Sequence, residues 1–146
     1  MDCIFNEPDI YRILTNINND FNPPLSERVD LSIFAEKLFK NAMFFCDYSA
    51  DGILKGLIAL YANDFENKKA YIPLVYTARN FRGKGVASGL LNEVVSFVKS
   101  LNGQIRIIGL HTNNITAIRV YKNVGFKIVD VVEGKNYMIW KYDETF

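Results

Sequence analysis

The sequence is short of most of the features that would settle a chain's class at once. It has one histidine and two cysteines in 146 residues. One histidine and two cysteines far apart, Cys3 and Cys46, give no cluster with metal-ligand spacing, so no metal is expected. Two cysteines are also too few for a disulfide framework, and both are expected to be ordinary buried or half-buried thiols. Neither sign of charge dominates. The net charge of +1 marks neither a nucleic-acid partner nor a membrane surface, since only clustered charge would. The most apolar segments, Ala42–Cys46 and Ile53–Ala62, fall far short of the roughly 18 residues that suggest a membrane span. Met1-Asp2-Cys3-Ile4-Phe5-Asn6-Glu7 has no basic stretch followed by an apolar one, so no signal peptide is expected and a cytoplasmic location is the default. Repeats, low-complexity tracts and linkers are absent too. What remains is the balance of an ordinary globular protein, 49% hydrophobic and 23% charged. The length suits one domain, residues 1–146, which can bury roughly 68–70% of its unfolded surface.

The clearest break is Asn22-Pro23-Pro24, between two helical patterns in residues 1–41. Before it, Pro8 suits a first turn, and Ile10, Ile13, Leu14 and Ile17 recur at helical spacing. After it, Asp30 can cap a helix that carries Leu31, Phe34, Ala35, Leu38 and Phe39. From residue 42 the pattern changes. Ala42–Ser49 and Ile53–Asn63 flank Asp51-Gly52 and predict a β-hairpin. A third strand is expected over Ala70–Ala78, where Pro73 requires a bulge or an unpaired side. Val86–Leu101 predicts the best helix, about 24 Å long. A buried strand follows at Ile105–Leu110, a helix at Ile115–Val124, and closing strands at Lys127–Val132 and Tyr137–Tyr142 around the turn Glu133–Asn136. The predicted order is α-α-β-β-β-α-β-α-β-β, a mixed α/β sheet over residues 42–142, largely antiparallel rather than doubly wound.

Two segments carry chemistry. The first is Arg79-Asn80-Phe81-Arg82-Gly83-Lys84-Gly85-Val86-Ala87-Ser88, which joins a strand to the best helix. The first N–H groups of a helix lack intrahelical partners and can bind an anion. Gly83 and Gly85 allow positive φ and close backbone approach, and Arg79, Arg82 and Lys84 bring three cations. A solvated glycine loop would look the same in isolation. A dinucleotide fingerprint fits poorly, for the third glycine is replaced by Ser88, and no P-loop run exists. The second segment is Asn114-x-x-Ala117-x-x-x-Tyr121-x-x-x-Gly125-Phe126, whose first three named positions share one helix face. Alone, it also fits a packing face with a glycine C-cap.

Taken in this order, the two segments resemble the GNAT acetyltransferase superfamily. Arg82-Gly83-Lys84-Gly85-Val86-Ala87 is similar to its Q/R-x-x-G-x-G/A acyl-CoA signature, and the second segment matches N-x-x-A-x-x-x-Y-x-x-x-G-F at every named position. The resemblance covers roughly residues 42–140. It implies that the N–H groups around Arg82, Gly83, Lys84, Gly85, Val86, Ala87 and Ser88 hold the pyrophosphate of acetyl-CoA. It implies a pantetheine arm lying beside Val75, Tyr76 and Thr77, one of whose N–H groups polarises the thioester carbonyl. Asn114 contacts that arm or fixes its loop, Ala117 leaves room, and Tyr121 protonates the departing thiolate.

The attacking amine must be neutral. A lysine-like amine carries its proton at pH 7 by about 3.4 pKa units, or about 4.6 kcal/mol. The family often places a glutamate on the core strands. None of Tyr71–Ala78 or Ile105–Leu110 is acidic here, and Thr77 and Arg79 replace the usual valine and proline before the signature. His111, expected just after the fourth strand, is the best base by chemistry, although it reads equally well as a loop histidine. Asp47, Asp64 and Glu66 are less well placed. By analogy the acceptor site involves Tyr11, Asn16, Phe21, Asn22, Tyr48, Tyr137 and Trp140, groups suited to a neutral polar ligand such as a sugar. Pro23–Val29 resembles the corresponding segment of members acting on amino sugars. The expected activity is acetyl transfer from acetyl-CoA to the primary amine of a small molecule. An inactive CoA-binding module and an enzyme for peptide amines are the alternatives, and homodimerisation is left open.

Overall fold

The hairpin expected after residue 41 forms as β1 (Ala42–Tyr48) and β2 (Leu54–Asp64), paired antiparallel, in a computed structural model that describes residues 3–143. The extreme ends of the expected 1–146 domain, including Met1 and Asp2 of the segment read for a leader, lie outside the described residues. β3 (Lys69–Thr77), α3 (Val86–Ser100), β4 (Ile107–Thr112), α4 (Ile115–Val124), β5 (Lys127–Val132) and β6 (Lys135–Lys141) follow. The strands make one mixed sheet in the order β1-β2-β3-β4-β6-β5, in which only the β3–β4 pair is parallel. The element order is the predicted one.

Two helices precede the sheet. α1 (Glu7–Ile17) starts at a reciprocal cap: the Asn6 side chain accepts the Asp9 N–H at 2.8 Å, and the Asp9 carboxylate accepts the Asn6 N–H at 3.3 Å. α2 (Leu31–Asn41) starts at Asp30, whose carboxylate accepts the Ile33 N–H at 3.0 Å. Their apolar stripes, Ile10, Leu14 and Ile17 with Ala35 and Leu38, cover Leu57, Ala59, Leu74 and Tyr76 on one face of the sheet. The opposite face carries α3 and α4 over Ile58, Leu60, Ala70, Ile72, Ile108, Leu110 and Met138. Each fully buried leucine or isoleucine contributes about 1.5–3 kcal/mol.

β3 serves both cores because its alternation breaks. Ala70 and Ile72 face α3 and α4, whereas Leu74 and Tyr76 face α1 and α2. The register explains this: Tyr61 pairs with Tyr71 and Ala59 with Leu74, so β3 holds one residue more than β2 across that interval. Pro73 lies inside it. The bulge foreseen for Pro73 therefore forms, in a place where a missing N–H costs no ladder bond.

Three expectations need correction. β4 starts two residues later than Ile105, because the Arg106 N–H is bonded to the Lys68 carbonyl at 2.8 Å before the ladder begins. It also runs two residues past Leu110, paired with β6 as far as Thr112, so it includes His111, which is not a loop residue. β6 begins at Lys135, since Glu133 and Gly134, with φ of 51° and 79°, close a two-residue turn shorter than the four-residue one expected. Cys3 and Cys46 are joined in a disulfide and are not free thiols. Residues 43 apart in sequence meet because the segment before α1 runs back over β1, so sequence distance was a poor guide.

Candidate active site

β3 and β4 pair at only three positions, Lys69–Ile107, Ala70–Ile108 and Tyr71–Gly109, and then part. The bulge at Pro73 turns β3 away just where this pairing ends. The separated ends, Ile72–Thr77 and Leu110–Asn114, line a cavity of about 750 Å³ that passes through the sheet. On β3, Ala78 N–H is bonded to the Lys55 carbonyl of β2 at 2.8 Å. Amides alternate sides along a strand, so Tyr76 also points its N–H toward β2, and Val75 and Thr77 direct theirs into the gap. Tyr76 is thus removed from the three candidates for a backbone donor at this point.

The N-terminus of α3 opens onto the same cavity, which Gly83, Gly85, Val86, Ala87 and Ser88 line. Gly85 is the N-cap, at φ 80°, and no side chain caps the helix. The N–H groups of the first turn are therefore open to an anion, and no acidic residue in that turn competes for them. A Cβ on Gly83 or Gly85 would meet nothing within 4 Å, so these glycines are required by their positive φ and not by crowding. Crowding acts instead at Gly56 of β2, where a Cβ would lie 2.5 Å from Val86 Cγ1. That glycine seats the first turn of α3 on the sheet. The signal for it was a lone glycine inside a strand pattern.

The expected cations divide. Arg82 donates to the carbonyls of Thr77 and Asp20, both at 3.1 Å, and Arg79 bonds the Asn19 carbonyl at 3.4 Å and approaches the Asp20 carboxylate at 3.5 Å. Tyr76 Oη donates to the same carboxylate at 2.9 Å. Both arginines thus fasten the α1–α2 connection to the end of β3 and do not reach for the helix N-terminus. Lys84 is off the cavity wall, its Nζ 5.7 Å above the Phe81 ring.

Asn114 caps α4: its side chain accepts the Ala117 N–H at 3.1 Å, and its own N–H is bonded to Thr112 Oγ1 at 3.1 Å. These bonds fix the entry into α4, and the residue also lines the cavity. Ala117 and Tyr121 face the cavity from this helix. Gly125, at φ 120°, ends it, with Gly125 and Phe126 N–H groups bonded to the Tyr121 carbonyl. Phe126 is fully buried beside the Tyr121 ring. The tyrosine is 6% exposed, and burial pushes its hydroxyl up to about 12. No partner for that hydroxyl exists among the described residues.

On the far side of the gap, His111 Nδ1 lies 2.7 Å from Tyr71 Oη, and its ring stacks on Tyr137 with centroids 4.8 Å apart. Gly109 makes room for this, since a Cβ there would sit 2.7 Å from Tyr137 Oη. Tyr71 was missed in the sequence because its partner is 40 residues away. Of the acceptor candidates, Phe21 and Asn22 line the cavity and Tyr137 lies behind His111. Trp140 does not belong there. It is 8% exposed, buried under α4 against Gly125. Tyr48 packs under α1 and α2, and Tyr11 and Asn16 lie on exposed α1 positions outside the cavity. No group of three or more His, Cys, Asp or Glu side chains suited to a metal gathers among the described residues. No helix among them is long and apolar enough to cross a membrane.

The model of the acetyltransferase (GNAT) family matches residues 9–126. GCN5-related N-acetyltransferase 4, chloroplastic, of Arabidopsis thaliana is 37% identical over 70 residues, covering 47% of this chain and 23% of that protein. The chain spans less than half the length of the curated relatives it matches. A spermidine N-acetyltransferase chimera from Vibrio cholerae and hSSAT shares the fold, with a TM-score of 0.73 at 19% identity over 95% of this chain and 93% of that one. A Thermoplasma acidophilum N-acetyltransferase in complex with coenzyme A aligns with a TM-score of 0.63 at 24% identity, over 74% of this chain and 71% of that one.

Proposed function

Because the chain belongs to the acetyltransferase (GNAT) family, we propose that it transfers an acetyl group from acetyl-CoA to the primary amine of a small molecule, working as a single acyltransferase domain. One observation carries this reading: the uncapped N-terminus of α3 and the Tyr121 side chain face one cavity through the parted ends of β3 and β4. The residues fit the cofactor. The CoA pyrophosphate accepts from the first-turn N–H groups of α3, and the pantetheine arm runs in the gap along Val75 and Thr77. The Val75 N–H polarises the thioester carbonyl.

The amine nitrogen attacks the carbonyl carbon, the C–S bond breaks, and the amine gives up a proton. His111 takes that proton at Nε2 when Nδ1 carries the ring hydrogen and donates it to Tyr71 Oη. Tyr121 assists the leaving sulfur. With its hydroxyl near 12 and a free thiol near 8.5, complete transfer of its proton to a solvated thiolate would be uphill. A desolvated thiolate is more basic and narrows that gap. Tyr121 therefore acts first as a hydrogen-bond donor to the developing charge.

Tyr121→Phe tests the assignment. It is expected to lower kcat at least about a hundredfold while CoA affinity by calorimetry stays within about threefold. Equal losses in both would leave Tyr121 a packing residue.

A further inference from the structure

The charged side chains on the cavity wall are unevenly engaged. Asp20, its lining carboxylate, already accepts from Tyr76 Oη at 2.9 Å and faces Arg79 at 3.5 Å. Arg82 is bound to two carbonyls. The remaining lining cations, Arg28 and Lys135, make neither an ion pair nor a side-chain hydrogen bond among the described residues. Arg28 is held only by its approach to the Phe21 ring, 6.0 Å from the centroid.

Both lie across the sheet from the anion-binding turn. Arg28 follows the short turn whose Leu25 is part of the core under α1 and α2. Lys135 shares a face of β6 with Tyr137, which stacks on His111, whereas Met138 and Trp140 face α3 and α4. The two cations therefore line one cavity from two separate elements, the α1–α2 connection and β6, away from the first turn of α3. A second ammonium on the acceptor would be repelled there, and a neutral sugar would leave both charges unused.

Resting on the acetyl-transfer reading, we propose that the acceptor is an amine bearing an anionic group, phosphate or carboxylate, seated between Arg28 and Lys135. Charge-assisted bonds of this kind hold an anion by roughly ten- to a hundredfold each.

The test measures initial rates with acetyl-CoA and four acceptors: glucosamine, glucosamine 6-phosphate, glutamate and spermidine. CoA affinity is measured in parallel by calorimetry. At least one of the two anionic amines should have a kcat/KM at least tenfold above glucosamine and spermidine, and which of them leads identifies phosphate or carboxylate. Its KM should rise with added salt, and R28Q/K135Q should raise it at least tenfold with CoA affinity retained. Glucosamine or spermidine acetylated as well as the anionic amines, or none turned over while CoA binds, overturns the inference. So does a double variant that loses CoA affinity, since the cations would then serve the cofactor. Failure to bind CoA at all overturns the acetyl-transfer reading beneath it.

Discussion

Tyr121 owes its proton to its surroundings. Burial raises its hydroxyl to about 12, and Tyr76, buried and bonded to Asp20, is raised to about 12 as well. Two consequences follow for pH dependence. Turnover should show no alkaline fall from Tyr121 up to pH 10, as a rate profile would reveal. Stability has its own sign: the folded chain holds these protons more tightly than the unfolded chain, whose phenols titrate near 10. The contribution is complete below pH 10 and is lost between about pH 10 and 12. Urea midpoints measured across that range should drop, and Tyr121→Phe should make the drop shallower. The chemical type of this residue was legible from its motif, because Asn114, Ala117, Tyr121 and Gly125 act within one helix. The partners of His111 and Asp20 were not, since they come from β3, far along the chain.

At the scale of elements, the connection between α1 and α2 is clipped to the end of β3 by Asp20 and the residues that bind it, Tyr76, Arg79 and Arg82. This clip joins the part of the cavity wall built by the α1–α2 connection to the turn that leads into α3. Asp20→Ala removes the carboxylate that two of those residues share. It should cost about 1–3 kcal/mol in stability, read from thermal or urea melts, and raise KM for the acceptor more than for acetyl-CoA. Equal changes in both constants would show the clip to be purely structural. Helix starts and stops were readable here from local caps such as Asn6, Asp30 and Gly125. The bounds of β4 were not, because its start is decided by the Arg106–Lys68 bond and its far end by pairing with β6.

At the scale of the whole molecule, the sheet separates two cores, and the disulfide ties the start of the chain to the one under α1 and α2. A cross-link closing a loop of 43 residues contributes about 4 kcal/mol in the chain-entropy treatment. Reduction should therefore lower Tm by about 10 °C, and thiol titration should find the two cysteines only after reductant is added. Free thiols in protein purified without reductant would argue instead for a chain kept reduced. The extra residue of β3 lies at Pro73. It sets the phase of everything downstream on that strand, fixing which amides look into the gap and which rings look toward Asp20. In the proposed reading the acyl carbonyl's donor would be Val75, which takes that place by its number in the strand and not by its side chain.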